Sequence, residues 1–246
     1  VTVASVTAKI MSAVLSAAFH SRFIKNENMS ANAGAATENS RSRFRPPRGC
    51  TLTRTPCGEC FMECLVPENA GTDTVIFHIH GGSFKIKLID LYRRLALKYS
   101  RTAGGAAVYS VDYRIMPEYI FPSQLDDVMS AWDMLMSQGV KPENVIAVGD
   151  SSGANLVLAL AQKLRDSGRP MPKKLVCFSL WGDMTACGES YERNCHSDPF
   201  YGIAKKESFH EHEAYFKRRP KYAGEHDLSD PYLSVSFADF SGFPPT

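Results

Sequence analysis

The sequence predicts an α/β protein built on a mostly parallel central sheet with helices on both faces. Three observations lead there. Short apolar runs rich in β-branched residues alternate with amphipathic segments of helical length. The runs lack polar alternation, as in strands covered on both sides. Glycine clusters fall where strands end, at Gly81-Gly82 and around Ser151.

The elements follow in order from residue 50. Cys50–Thr55 and Cys60–Val66 read as two strands around a Pro56–Glu59 turn. Thr74–Ile79 and Ala106–Val111 are the next strands, separated by a helix with Leu88, Leu91, Leu95 and Tyr99 at helical spacing. A helix starts at Ser123, with Ser123 and Asp126 at capping-box spacing and Leu125, Val128, Met129, Trp132 and Leu135 inward. Val145–Val148 is a strand, Ala154–Leu164 a helix, and Leu175–Leu180 a sixth strand. Residues 183–228 are polar and aromatic and break the rhythm, as an irregular or helical insertion would. Residues 1–48 read as a helix, with Val3, Val6, Ile10, Val14 and Ala18 on one stripe, followed by a linker ending in Arg45-Pro46-Pro47-Arg48.

Composition narrows the function. The 246 residues carry a net charge of +2 with both signs scattered, which points away from nucleic acid and anionic membrane surfaces. No apolar run reaches the roughly 18 residues of a membrane span. Seven cysteines, an odd number, favour a reducing compartment, so the cytoplasm is the expected location. Cys57-Gly58-Glu59-Cys60 is a C-x-x-C that a metal or redox site could use. It has no second C-x-x-C or spaced histidine, and Cys60, Met62, Cys64 and Val66 alternate as one face of a strand.

Chemistry is concentrated in Gly149-Asp150-Ser151-Ser152-Gly153, a G-x-S-x-G between a buried strand and an amphipathic helix. Such a turn excludes side chains at both glycines and lifts the serine hydroxyl out at the carboxyl end of the sheet. Upstream, His80-Gly81-Gly82-Ser83-Phe84 follows a strand directly. Consecutive glycines let backbone N–H groups approach a developing oxyanion. His80 opens that motif and is read as shaping the loop, not as a base.

Two further blocks follow, Val111-Asp112-Tyr113-Arg114-Ile115-Met116-Pro117-Glu118 and Phe121-Pro122-Ser123-Gln124-Leu125-Asp126-Asp127. With the two glycine motifs, in this order and spacing, the chain from about Arg48 to Thr246 resembles the hormone-sensitive-lipase family of α/β-hydrolases. The resemblance implies an α/β-hydrolase sandwich with an N-terminal cap helix. It implies Ser151 as nucleophile, and the amides of Gly81, Gly82 and Ser152 as the oxyanion hole. Ser83 stands where many members have a third glycine. Arg114, Glu118, Asp126 and Asp127 are read as an ion-pair brace behind the loop, the other reading being an acid or base near Ser151.

The implied activity is hydrolysis of short or medium acyl esters through an acyl-enzyme, with no cofactor, no metal and a small-molecule ester as the partner; a homodimer is left open. The 183–228 insertion and the N-terminal helix would form a lid over the acyl pocket. In this fold the acid and base follow the nucleophile in the order Ser, Asp or Glu, His. Asp230–Ser234 and Gly242–Thr246 resemble the family's approach to the strand that precedes them. His196, His210, His212 and His226 all lie in the insertion, and Asp183 and Asp198 match no acid position. The last two strands, the acid and the base are therefore expected outside these 246 residues, which implies a truncated chain that is inactive by itself and has its sixth strand as an uncovered edge. The rival reading is a ligand-binding protein without a complete triad, as gibberellin receptors are on a similar fold.

Overall fold

A computed structural model describes residues 42–198, 202–203 and 207–246. The expected N-terminal helix lies outside them. Among the described residues, 42–184 and 220–246 form one compact unit, and those between 185 and 219 belong to a second. The first contains a six-stranded mixed sheet of order β1-β2-β4-β3-β5-β6. Its elements are β1 (Cys50–Cys57), β2 (Cys60–Pro67), β3 (Val75–Ile79), α1 (Asp90–Thr102), β4 (Ala107–Asp112), α2 (Ser123–Ser137), β5 (Val145–Asp150), α3 (Ser152–Asp166) and β6 (Lys174–Phe178). Among its described residues the second unit holds short helical turns, including α4 (Ser190–Arg193) and α5 (Glu213–Phe216), which suits the polar, aromatic composition of that stretch.

β1 and β2 form an antiparallel hairpin in which Cys57 faces Cys60 across a two-residue turn. Gly58 takes φ 58° there, as the first central residue of a type II′ turn requires. β2 continues antiparallel onto β4, while β3, β4, β5 and β6 are parallel. The βαβ crossovers place α2 and α3 on one face and α1 on the other. Alternate residues of β3 serve the two layers. Val75, Phe77 and Ile79 join the larger core, where the Phe77 ring meets Trp132 edge-on at 5.7 Å, and Ile76 joins the α1 side with Leu65, Ala96 and Val108. That explains why these strands read as continuous apolar runs.

An ion-pair network ties the α1 layer to the sheet. Arg93 of α1 makes a two-pronged contact with the buried Glu63 carboxylate of β2, at 2.7 and 2.6 Å, and a further bond to Asp90. Arg54 reaches Glu63 and Asp112 from β1. A carboxylate as enclosed as Glu63 is tolerable only when paired in this way.

Two expectations need correction. Ser123 is not the cap of α2. Pro122 occupies the cap position without a side-chain cap, its carbonyl accepts from Asp126 N at 3.0 Å, and the Ser123 amide is already satisfied by Ile120 O at 2.9 Å. The edge at β6 is also partly covered from downstream. The Leu175 N–H donates to Pro245 O at 2.9 Å, so the C-terminal segment meets, at one residue, the strand that was expected to lie bare. Arg165 holds that segment by bonding the Asp239 and Ser241 carbonyls and stacking over Phe243. Among the described residues, no helix is long and apolar enough to cross a membrane.

Candidate active site

The site forms where β5 ends and α3 begins. Ser151 takes φ 52° and ψ −119°, a conformation disfavoured for any residue with a Cβ, at a cost of about 1–3 kcal/mol. Three backbone hydrogen bonds hold it there. Its N–H donates to Phe178 O at 2.9 Å, which extends the β5–β6 ladder by one residue. Its carbonyl accepts from Asn155 at 3.2 Å and from Trp181 at 3.3 Å. The buried Asn155 amide in turn donates to the Trp181 and Leu233 carbonyls, which pins the chain leaving β6 against α3.

The glycines are sterically required. A Cβ on Gly149 would lie 2.5 Å from the Gly153 carbonyl oxygen. A Cβ on Gly153 would run into the Ile79 carbonyl oxygen and lie 2.5 Å from that of His80. The strand β3 and the first turn of α3 therefore touch backbone to backbone, and this contact brings the His80–Phe84 loop beside Ser151.

In that loop the residues separate into different roles. The Gly81 N–H donates to Asp150 Oδ1 at 3.1 Å, so it is engaged by the residue preceding Ser151. Burial pushes the Asp150 carboxyl above its usual range, opposed by this hydrogen bond. Gly82 follows at φ 112°, and Ser83 and Phe84 at φ 54° and 60°. Positive φ at Ser83 explains why a glycine would suit that position. No acceptor engages the N–H groups of Gly82, Ser83 or Ser152 among the described residues. Ser152 begins α3, where free N–H groups and the positive end of the helix dipole coincide.

His80 is fully buried. Its Nδ1 lies 2.8 Å from Gly81 O, so that nitrogen carries the proton, and its ring stacks on Tyr113 at 4.3 Å. The Tyr113 hydroxyl donates to His80 O at 2.8 Å. His78, also fully buried, has its Nδ1 2.9 Å from Ser110 Oγ. The brace reading describes Arg114 and Asp127 well. The enclosed Asp127 carboxylate accepts from the Arg114 backbone N–H at 2.7 Å and from its guanidinium at 2.8 and 3.0 Å. Phe84 stacks on Tyr222 at 3.5 Å and approaches Trp181 at 5.9 Å, which anchors the end of the loop in the core. Sequence reasoning missed Tyr222 and Trp181, because their placement beside Phe84 is set by tertiary packing.

His196 and His210 are exposed, His212 faces Glu207 at 3.6 Å, and His226 stands edge-on to Phe121 at 5.0 Å. Among the described residues no cluster of three or more His, Cys, Asp or Glu could hold a metal ion.

The buried histidines make stability pH-dependent. Desolvation pushes His78 down to about 3 and His80 down to about 4. Their folded values lie below the ordinary histidine value, so the unfolded chain binds protons first as pH falls. Their stabilisation is complete above about pH 6.5 and is lost as pH falls from there to about 4 for His80 and about 3 for His78, with a slope approaching roughly 2.7 kcal/mol per pH unit where both contribute. Urea midpoints at pH 7 and pH 5 should differ accordingly, and His78→Asn should flatten the dependence. Equal midpoints would contradict neutral burial of this pair.

Comparison with known proteins agrees with the geometry. A family model described as the alpha/beta hydrolase fold matches residues 76–246. The chain is 32% identical over 188 residues to an acetyl-hydrolase of Streptomyces hygroscopicus, covering 76% of this chain and 59% of that protein. It is 34% identical over 181 residues to an esterase of Acinetobacter venetianus, covering 74% of this chain and 57% of that one. It thus spans under two thirds of the length of these relatives. Among solved structures, EstE5 soaked with p-nitrophenyl butyrate superposes with a TM-score of 0.79 at 27% identity, over 98% of this chain and 77% of that one. An esterase of the bacterial hormone-sensitive lipase family gives 0.74 at 26%, over 99% and 77%.

Proposed function

Because the chain belongs to the alpha/beta hydrolase fold family, we propose that it serves a carboxylic-ester hydrolase in which Ser151 is the nucleophile. The observation that carries this reading is the backbone of Ser151. A positive-φ serine, held by a hydrogen bond to the neighbouring strand and followed at once by a helix N-terminus, is costly to build. It places a hydroxyl and unengaged amides at one point, which acyl transfer needs.

In the proposed reaction Ser151 Oγ attacks the ester carbonyl carbon and passes its proton to a base. The carbonyl oxygen becomes an oxyanion held by backbone amides. Collapse releases the alcohol and leaves an acyl-enzyme, which water hydrolyses. Gly82 and Ser152 serve as donors, as the sequence suggested. Gly81 is replaced in that role by Ser83, because the Gly81 amide is bound to Asp150. Successive amides at Gly82 and Ser83, bent by their positive φ values, form the kind of concavity that accepts an anion. His80 supports the loop as a neutral, buried group and takes no proton from substrate.

The names of the relatives point to acetyl and related small esters as substrates. A series of p-nitrophenyl esters from acetate to laurate tests this with the full-length gene product. Turnover is expected to be greatest for acetate and butyrate. Saturable binding of these esters without release of p-nitrophenolate would instead support a ligand-binding protein on this fold.

A further inference from the structure

The C-x-x-C of the hairpin has no part in the ester chemistry, and its geometry is that of a pair. Cys57 and Cys60 are the last facing residues of the β1–β2 ladder, on either side of Gly58-Glu59. Their Sγ atoms lie 3.3 Å apart. Facing residues of antiparallel strands keep their Cα atoms about 4.5–5.5 Å apart, inside the roughly 4.4–6.8 Å that a disulfide spans. The sulfurs can therefore join without a change of register.

The other hairpin cysteines have different partners. Cys64 faces Thr53 and Cys50 faces Pro67. All seven cysteines are free thiols in this structure.

The two thiols also differ chemically. Cys60 Sγ lies within reach of Cys57 Sγ, of Cys57 O at 3.2 Å and of Asp127 O at 3.5 Å. A proton shared from Cys60 holds the Cys57 thiol below its ordinary range. The same contact, together with burial, pushes Cys60 up. Cys57 is thereby the better attacking group and Cys60 the resolving one. Both side chains are enclosed, at 4% and 2% exposure, but the turn residues Gly58 and Glu59 between them are exposed and β1 is an edge strand. Local opening of a hairpin tip admits a small reagent.

We propose that Cys57 and Cys60 form a reversible dithiol–disulfide couple, a modification site for low-molecular-weight disulfides such as glutathione disulfide. The Cys57 thiolate attacks one sulfur of glutathione disulfide, breaks its S–S bond and expels one glutathione thiolate. Cys60, losing its proton, then attacks Cys57 Sγ in the mixed disulfide and expels the second. Two protein thiols give up two electrons and two protons, and one glutathione disulfide becomes two glutathiones.

The test is equilibration of the native full chain in buffers of increasing glutathione disulfide over glutathione. Acid quenching, alkylation with iodoacetamide and peptide mapping follow. Trypsin releases Thr55–Lys85, which contains Cys57, Cys60 and Cys64. In reducing buffer this peptide should carry three alkyl groups. In oxidising buffer it should carry one, on Cys64, and be lighter by two hydrogens, and added dithiothreitol should restore three. Cys64→Ser should leave the transition intact, and Cys57→Ser should abolish it. Three alkyl groups at every ratio, a stable glutathione adduct in place of the bridge, or a bridge to Cys64 would each overturn the proposal. The wild-type map alone decides if a serine variant fails to fold.

Discussion

In the full-length gene product, Ser151→Ala is expected to lower kcat/KM for p-nitrophenyl acetate by roughly 10³–10⁶-fold while leaving the fold in place. The hydroxyl is the only group removed. It makes no hydrogen bond among the described residues, so its loss leaves no buried partner unsatisfied. Alanine has a Cβ like serine, and the backbone bonds to Phe178, Asn155 and Trp181 do not involve the side chain. Stability should therefore change by less than about 0.5 kcal/mol. Activity retained within tenfold of wild type would place the nucleophile elsewhere. Loss of activity together with loss of folding would show that the serine acts through structure.

Gly153→Ala is expected to act in the opposite way, through the fold first. Its new methyl group would meet the Ile79 and His80 carbonyl groups, which are strand and loop backbone and cannot rotate aside. Relief requires α3 to move away from β3, which disturbs the packing of Leu156, Val157 and Leu160 against the sheet. A cost of about 3 kcal/mol or more follows, at the upper end for overpacking. The displacement also separates the Ser152 amide from those of Gly82 and Ser83. The urea midpoint should fall well below wild type, and whatever folds should hydrolyse ester poorly. A midpoint unchanged from wild type would mean that the close approach of α3 to β3 is not what holds the elbow.

These two variants draw on features that differed in legibility. The parallel sheet was readable because each strand is covered on both faces and each intervening helix shows one apolar stripe. The elbow was readable because Gly149, Ser151 and Gly153 are local in sequence and their roles follow from sterics. The exclusion of a Cβ at Gly153, by contrast, comes from Ile79 and His80, more than seventy positions away. No spacing rule signals that Asp150 takes the Gly81 amide, because that bond joins residues far apart in the chain. The cap of α2 was misread because Ser123 and Asp126 have the right spacing, but the turn through Pro122 already satisfies the amides that a capping serine would serve. The cover on β6 depends on a single long-range bond from Leu175 to Pro245, with Arg165 gathering the carbonyls of the same segment. The cysteine pair was visible as a motif, but only the hairpin register shows that Cys57 and Cys60 face one another.

The central claim is that Ser151 is the acylated nucleophile, and an organophosphate tests it most directly. Diethyl p-nitrophenyl phosphate should react once per molecule of the full-length gene product. It should release one equivalent of p-nitrophenolate and leave a diethylphosphoryl group that peptide mapping places on Ser151. No release at reagent excess, or an adduct on any other residue, would contradict the account.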